Sequence, residues 1–318
     1  MENLLFSLGV TMPVFLLVVL GYVVRRLGIV DEIFAKKTND FVFKFVLPVT
    51  LYKQLATTDF MSRWDTGFAL YCAAATIGSI FLMILLARFL AKPSQRGEFI
   101  QGGFRASQAL LGLAYLTNLY GSADYVPAML IVTVLIYNFA AVIILMAYAP
   151  ENAGKRSTGR REALRKVGKG ILTNPLIIGI VCGILWSVLQ IPMVSVYEKV
   201  VTDVAKLATP LGLIGMGASL NLKEMSGELG CAVRASFMKL IGLGLIFTPI
   251  AVWLGFRGEM LATILVMLAS PTTVSGYVMA KNAGYDGVLT SDIVILTTVA
   301  SAFTMTGWIW ALRSLGLI

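Results

Sequence analysis

The stretch "LASPTTVSGY" at residues 268–277 interrupts a segment that is otherwise apolar on both sides. Pro271 cannot donate a hydrogen bond to the carbonyl of Met267, and its ring clashes with that turn, so a helix must break there. Main-chain groups freed inside a membrane need other partners. The hydroxyls that surround the proline are placed to supply them.

The composition indicates that most of the surface faces lipid. The chain has 318 residues, of which 58% are hydrophobic and 14% charged, and its mean hydropathy is +0.83. A soluble domain carries about 25% charged residues, and so large an apolar excess cannot be buried in one soluble core. The expected fold class is therefore an all-α polytopic membrane protein.

Histidine is absent from the chain. Its absence excludes the common zinc sites and the Ser-His-Asp triad, so no metal is expected. No glycine-rich phosphate loop follows a predicted strand, which leaves nucleotide-driven pumping without support. An intramembrane enzyme would need histidine, a pair of carboxylates or a Ser-Lys dyad at depth, and no mid-span carboxylate pair is found. The sequence therefore predicts neither an enzyme nor a cofactor.

Apolar runs of about 20 residues, the length needed to cross the hydrocarbon core, occur ten times. The second and seventh are the weakest, because charged residues crowd them. The predicted spans are 4–24, 33–56, 67–90, 98–119, 125–149, 171–190, 196–220, 231–254, 260–281 and 288–312.

Lysine and arginine concentrate in the odd-numbered loops, most densely in "KRSTGRREALRKVGK" at 155–169. The positive-inside rule then makes those loops cytoplasmic and places both termini on the non-cytoplasmic side of the cell (inner or plasma) membrane. The net charge of +9 follows from this topology. Contact with anionic lipid is compatible with the basic run, whereas nucleic acid is not an expected partner because no aromatics interleave with it.

An internal repeat runs through the chain at a constant offset in residue number. "TMPVFLLVVLG" at 11–21 returns as "TNPLIIGIVCG" at 173–183, and an offset larger by a single position pairs Gly121 with Gly284. Each repeat holds five spans, an odd number, so the second half inserts upside down. An inverted repeat is typical of secondary transporters. The predicted units are a first repeat at 1–149, a basic cytoplasmic loop at 150–170 and an inverted repeat at 171–318.

The fourth span carries a polar break at the depth of the break around Pro271. If the two spans cross, two half-helix N-termini face the crossing and favour an anion. Pro271 as an ordinary kink and Arg105 reaching the headgroups remain alternatives. The predicted substrate-binding residues are Arg105, Ser107, Gln108, Gly112, Ser270, Pro271, Thr272, Thr273 and Ser275, and the predicted hinges are Pro13, Pro48, Pro175, Pro210 and Pro271.

The chain resembles the auxin efflux carrier family, which includes bacterial malate and malonate permeases and lies within the bile acid/sodium symporter-like superfamily. The resemblance is densest at 104–121, 174–185, 207–220 and 270–286, which read "FRASQALLGLAYLTNLYG", "NPLIIGIVCGIL", "LATPLGLIGMGASL" and "SPTTVSGYVMAKNAGYD".

This resemblance implies ten helices in an inverted five-plus-five repeat, with crossing broken helices four and nine. It further implies a scaffold part, an elevator-like transport part, a small organic anion as substrate and a homodimer. Many members carry Asn where Ser107 stands and have Pro near Ala114. The family's substrate contacts are therefore less certain to transfer at Ser107, whereas Arg105 and Gly112 match.

The leading hypothesis is a secondary transporter of a small mono- or dicarboxylate by elevator-type alternating access. A passive anion channel and a non-transporting receptor of the same fold are the alternatives. Proton coupling would need an ionisable group in the transport path, and Asp40, Asp203 and Asp292 each sit near a predicted span end. Sodium coupling through carbonyls and hydroxyls, and uniport, remain open.

Overall fold

The computed structural model describes residues 2–57, 64–149, 173, 175–219, 229–273 and 275–318. The basic stretch at 155–169 and the predicted loop around it lie outside these residues. Within the described part the regular structure is helical and no strand occurs. Five helices are long and apolar enough to cross a membrane, and α1 makes a sixth if its 41° bend is allowed. The predicted all-helical membrane protein is therefore confirmed at this level.

The first half of the chain forms α1 to α7. The second predicted span is divided by a π turn at Val42–Val46, and the fourth is interrupted by three non-helical residues. The helices are α1 (Glu2–Arg26), α2 (Glu32–Phe41), α3 (Leu47–Thr57), α4 (Thr66–Leu90), α5 (Arg96–Phe104), α6 (Gln108–Tyr120) and α7 (Val126–Ala147).

The second half forms α8 to α15. The seventh predicted span is divided at Leu207, and the eighth contains a π turn at Met238–Gly242. The helices are α8 (Pro175–Val188), α9 (Ser195–Lys206), α10 (Ala208–Ala218), α11 (Leu229–Phe237), α12 (Leu243–Trp253), α13 (Gly258–Ala269), α14 (Ser275–Asn282) and α15 (Val288–Ser314).

Helix ends recur at the offset of the sequence repeat. The starts of α4 and α11 are separated by the offset that pairs Gly121 with Gly284, and the starts of α7 and α15 by the offset that pairs the two quoted repeats. Gly121 and Gly284 both adopt positive φ angles, 77° and 94°, in the turns that follow α6 and α14. A left-handed residue is the usual way to end a helix. The same local structure therefore stands at corresponding places in both halves.

Helix packing follows the same offset. α1 packs against α10, and α3 packs against α8. At the first contact a Cβ on Gly21 would overlap the backbone of Ile214, and at the second a Cβ on Gly183 would overlap the backbone of Tyr52. Small residues let membrane helices approach closely. Gly21 corresponds to Gly183, and Tyr52 to Ile214, in the numbering of the repeat.

The two half-helices before the breaks are enclosed by the rest of the protein. Gly97 to Phe104 of α5 and Leu261 to Ala269 of α13 are all buried. A helix that is buried all round lies in a core rather than at a surface. α5 packs against α4, α7, α11 and α15, while α13 packs against α4, α6, α7 and α12. The breaks at their C-terminal ends are thereby placed inside the protein.

Candidate functional site

The breaks of the fourth and ninth spans touch each other through the main chain. The Ser107 N–H donates a hydrogen bond of 2.7 Å to the Pro271 carbonyl. α5 ends in an extended Arg105 and α13 ends in an extended Ser270, with nearly the same φ and ψ angles. The structure therefore brings residues from both predicted breaks to one point.

Arg105 lies inside the protein, with 7% of its surface exposed. Its Nη1 is 3.1 Å from Sδ of Met279 on α14, the half-helix that follows the other break. A thioether is a weak hydrogen-bond acceptor. This burial disfavours the alternative in which the guanidinium reaches the headgroups, and it sets a positive charge against the second half of the chain.

Gln108 opens α6 and is almost fully buried. Its Nε2 donates to the Thr133 hydroxyl of α7, which donates in turn to the Met129 carbonyl at 2.8 Å. The Gln108 Oε1 has no hydrogen-bond partner among the described residues. The amide orientation follows from this network. One end of the side chain is thus anchored, and the other end is a polar atom at the crossing.

The second break carries hydroxyls at graded depth. Ser270 is fully buried, and its Oγ has no hydrogen-bond partner among the described residues. Thr272 is also buried, and its N–H donates to the Thr297 hydroxyl of α15 at 3.2 Å. Thr273 is half-buried. The side chain of Ser275 lies outside the described residues, although its main chain starts α14.

Gly112 lies one turn after the first break in an apolar contact. A Cβ at this position would meet Val126 at 3.7 Å and Val266 at 3.8 Å, which is ordinary van der Waals distance. The fold therefore does not require glycine here for steric reasons. Its place is between α6, α7 and α13, beside the crossing contact.

The predicted hinge prolines occupy four kinds of position. Pro13 follows the bend of α1 between Gly9 and Met12, and Pro271 lies in the break itself. Pro48 stands just after the π turn and Pro210 just after the division at Leu207. Pro175 is the first residue of α8, a place where its missing N–H costs nothing.

Lys239 is a buried residue of this region that sequence reasoning missed. It lies in the π turn of the eighth span, is fully buried, and its Nζ is 2.7 Å from the Leu268 carbonyl and 3.3 Å from the Met267 carbonyl. These are carbonyls of the last turn before the break at Pro271. A lysine near the middle of an apolar span is the sequence signal that could have identified it.

The candidate coupling carboxylates differ in environment. Asp40 pairs with Lys44 and Asp203 with Lys206, each at 3.1 Å on the surface, whereas Asp292 is fully buried. Sequence reasoning also missed Glu98, a buried residue that was not among the predicted carboxylates.

Glu98 is held at the start of α15. Its Oε1 accepts hydrogen bonds from the Thr290 hydroxyl at 2.8 Å and the Thr290 N–H at 3.2 Å. Burial raises the pKa of the neighbouring Tyr285 hydroxyl, and the charge of Glu98 raises it further. Tyr285 donates to the Leu145 carbonyl at 3.2 Å. A carboxylate at a helix N-terminus is electrostatically favourable, so this group has a structural explanation.

A narrow cavity lies beside Pro271, where α1 and α10 face α6 and α15. About 10 Å³ of it is open to the centre of a water molecule, which is about the space that one water needs. The Thr298 Oγ1 at its edge has no hydrogen-bond partner among the described residues. The lining consists of Val14, Phe15, Val18, Leu111, Tyr115, Met216, Pro271, Thr298, Ser301 and Ala302.

Comparison with known proteins gives matches over almost the whole chain. The family model described as "Membrane transport protein" matches residues 6–309. A "Putative malonate transporter" of Rhizobium meliloti is 24% identical, with 96% of each chain covered. An "Uncharacterized transporter" of Methanothermobacter thermautotrophicus is 21% identical over 95% of this chain and 97% of its own. The mouse "Lysosomal cholesterol signaling protein" is 22% identical over 58% of this chain and 22% of its own length.

Proposed function

We propose, from the premise that this chain belongs to the membrane transport protein family of auxin efflux carriers, that it is a secondary transporter of a small mono- or dicarboxylate. The observation that carries the proposal is the contact between the two broken spans at Ser107 and Pro271. Secondary transporters bind substrate near the membrane midplane where discontinuous helices meet. The family is one of transporters, so the activity is transport rather than catalysis.

The proposed topology has ten spans in two inverted halves, 1–149 and 171–318. The common offset of helix ends and of the Gly21–Ile214 and Gly183–Tyr52 contacts supports it. In this arrangement both termini face the non-cytoplasmic side of the cell membrane. The odd number of spans in each half is what inverts the second half relative to the first.

The proposed anion site lies at the crossing. Arg105 supplies the positive charge, and the first N–H groups of α6 and α14 supply partial positive charge. Gln108 and Ser270 offer polar atoms that have no partner among the described residues. A carboxylate has lone pairs for several donors, so the Ser270 hydroxyl, the guanidinium and the helix N-termini match its chemistry.

The proposed mechanism is an elevator-like movement of one part of the chain against the other. The scaffold part comprises α1–α3 and α8–α10, and the transport part comprises α4–α7 and α11–α15. The cavity between them beside Pro271 holds about one water, so an anion would need the two parts to separate. This closure favours a carrier over an open anion channel. A homodimer would form through the scaffold part.

Uptake into proteoliposomes tests this function. Labelled malonate is the first substrate to try, because a relative over the full length carries that name, and malate and indole-acetate follow. Saturable uptake with counterflow is expected from a carrier. Linear, non-saturable flux would indicate a channel, and no uptake of any tested anion would count against transport of this class.

A receptor is a second candidate, favoured by the similarity of part of the chain to the mouse protein named for cholesterol signalling. That similarity covers 22% of the mouse protein, so it concerns one portion of a larger molecule. A receptor would be stabilised by its ligand in thermal unfolding and would show no uptake or counterflow. The same purified protein serves both measurements.

A further inference from the structure

The hydrogen bonds at the end of α13 can be followed one carbonyl at a time. The Val266 carbonyl accepts from the Ser270 N–H at 3.0 Å, as in a continuing helix. The Met267 carbonyl would next accept from residue 271, but that residue is a proline. The Leu268 carbonyl would accept from the Thr272 N–H, but this group donates to Thr297 instead. Two successive carbonyls are thus freed inside the protein.

The Lys239 ammonium serves both freed carbonyls. It is fully buried on the eighth span, at 2.7 Å from the Leu268 carbonyl and 3.3 Å from the Met267 carbonyl. No ion pair among the described residues includes Lys239. The charge is therefore balanced by main-chain dipoles at the C-terminal, partially negative end of a half-helix.

This environment is the one that transporters offer to a coupling cation. In discontinuous helices, unwound carbonyls and half-helix C-terminal ends coordinate sodium or take part in proton coupling. Here a covalently attached ammonium fills the same position. An ammonium brings a full positive charge and three donors, so the carbonyls are satisfied by the chain itself.

The charge is present in only one half of the molecule. At the repeat offset that pairs Gly121 with Gly284, the position that corresponds to Lys239 is Thr76. Thr76 is buried on α4, and its Oγ1 is 3.8 Å from Sδ of Met267. The two related positions approach the same turn of α13, one with a charge and one with a neutral hydroxyl.

We propose that Lys239 is a built-in cation of this carrier, which occupies the cation-coordinating end of the second broken helix in place of a sodium ion. This inference rests on the proposed function for its meaning in transport. In the native chain, no added cation is then needed at this position. Lys239 is a positioning residue: it holds the last turn of α13, and with it the Ser270–Thr272 stretch that faces the anion.

The decisive variant is Lys239→Ala, which removes the ammonium and leaves space for a small cation. Thermal unfolding in detergent is measured for the native chain and the variant with N-methylglucamine, sodium or methylammonium as the cation. The native chain should show the same midpoint in all three. Lys239→Ala should unfold at a lower temperature in N-methylglucamine and should regain part of the loss with methylammonium or sodium.

Uptake in proteoliposomes then connects the site to function. Native uptake should be unchanged when N-methylglucamine replaces sodium. Lys239→Ala uptake should fall tenfold or more and should recover at least threefold with methylammonium. Lys239→Met fills the space with an apolar chain, so it should lose uptake and show no recovery. Lys44→Ala removes an exposed lysine and should match the native chain throughout.

Two results would overturn the inference. One is a sodium requirement of the native chain, in uptake or unfolding, which needs no variant to detect. The other is a Lys239→Ala protein that either behaves as native or is destabilised without a response to any small cation. Absence of native uptake for every anion would instead contradict the proposed function, and the unfolding measurement would still decide the role of Lys239.

Discussion

The two breaks at the crossing solve the same problem with different chemistry. In the first break, the positive charge is on the broken span itself, where Arg105 points towards Met279 of the opposite half. In the second, the break is made by Pro271 and lined with hydroxyls, and its charge comes from Lys239 on a neighbouring span. The comparison suggests a division of tasks: the first break supplies charge to the anion, and the second supplies shape.

Removal of the Arg105 charge should have the largest effect. Arg105→Ala leaves a carboxylate without its buried counter-charge, and loss of one partner of such a pair costs about 3 kcal/mol, or about a hundredfold in kcat/KM for uptake. The measurement is initial uptake over a range of anion concentrations. Arg88→Gln, which changes an exposed arginine on α4, is the control.

Equal losses in the two arginine variants would mean that net charge rather than position matters. Arg105→Lys should recover part of the uptake, because it restores the charge without the planar fork of donors. An Arg105→Ala protein with native kcat/KM would contradict the division between the breaks.

Restoration of a main-chain donor at the second break should have the next effect. Pro271→Ala returns an N–H that can bond to the Met267 carbonyl, so α13 can extend and the Ser107 contact shifts. The expected loss of uptake is about tenfold, as for one weakened main-chain hydrogen bond of ~1.4 kcal/mol. Pro249→Ala, in a continuous part of α12, should change uptake little. Similar losses in both variants would show that Pro271 acts as an ordinary kink.

Sequence reasoning predicted the helix ends best where the apolar run alone decides them. The span predicted at 67–90 is Thr66–Leu90, and that predicted at 125–149 is Val126–Ala147. The second and seventh spans were predicted as continuous and are divided at Val42–Val46 and Leu207. A shift of one main-chain hydrogen bond leaves the hydropathy unchanged, so composition cannot reveal it. The family resemblance was confirmed over nearly the whole chain.

The candidate site was accessible from the sequence only in its local part. Pro271 states its own break, because the missing donor is a property of the residue. Lys239 is 28 residues away from Met267 along the chain, and no local pattern predicts which carbonyl its ammonium meets. The same holds for Thr133 with Gln108. Partners across helices depend on how the helices pack, and packing was not predicted.

The Ser270 hydroxyl offers a smaller and more specific test of the second break. It is buried without a partner among the described residues, so removing it should not destabilise the free protein. If the bound anion is its partner, Ser270→Ala should raise KM about fivefold, the equivalent of ~1 kcal/mol for one hydrogen bond. Uptake kinetics and thermal unfolding are measured together, with Ser79→Ala on α4 as a buried hydroxyl control. A lower unfolding midpoint with unchanged KM would assign Ser270 to structure alone.

Gly112 should show the smallest effect on transport, although it lies one turn from the first break. A methyl group at this position meets Val126 and Val266 at ordinary contact distance, and Ala in place of a helical Gly stabilises by about 0.5–1 kcal/mol. Gly112→Ala should therefore raise the unfolding midpoint slightly and leave KM and kcat unchanged. Gly21→Ala, whose methyl group would overlap the Ile214 backbone, should lower the midpoint and is the contrasting variant. A rise in KM for Gly112→Ala would place the anion against α6 beyond its first turn, and the charge of the first break would then act further along the helix than Arg105 alone predicts.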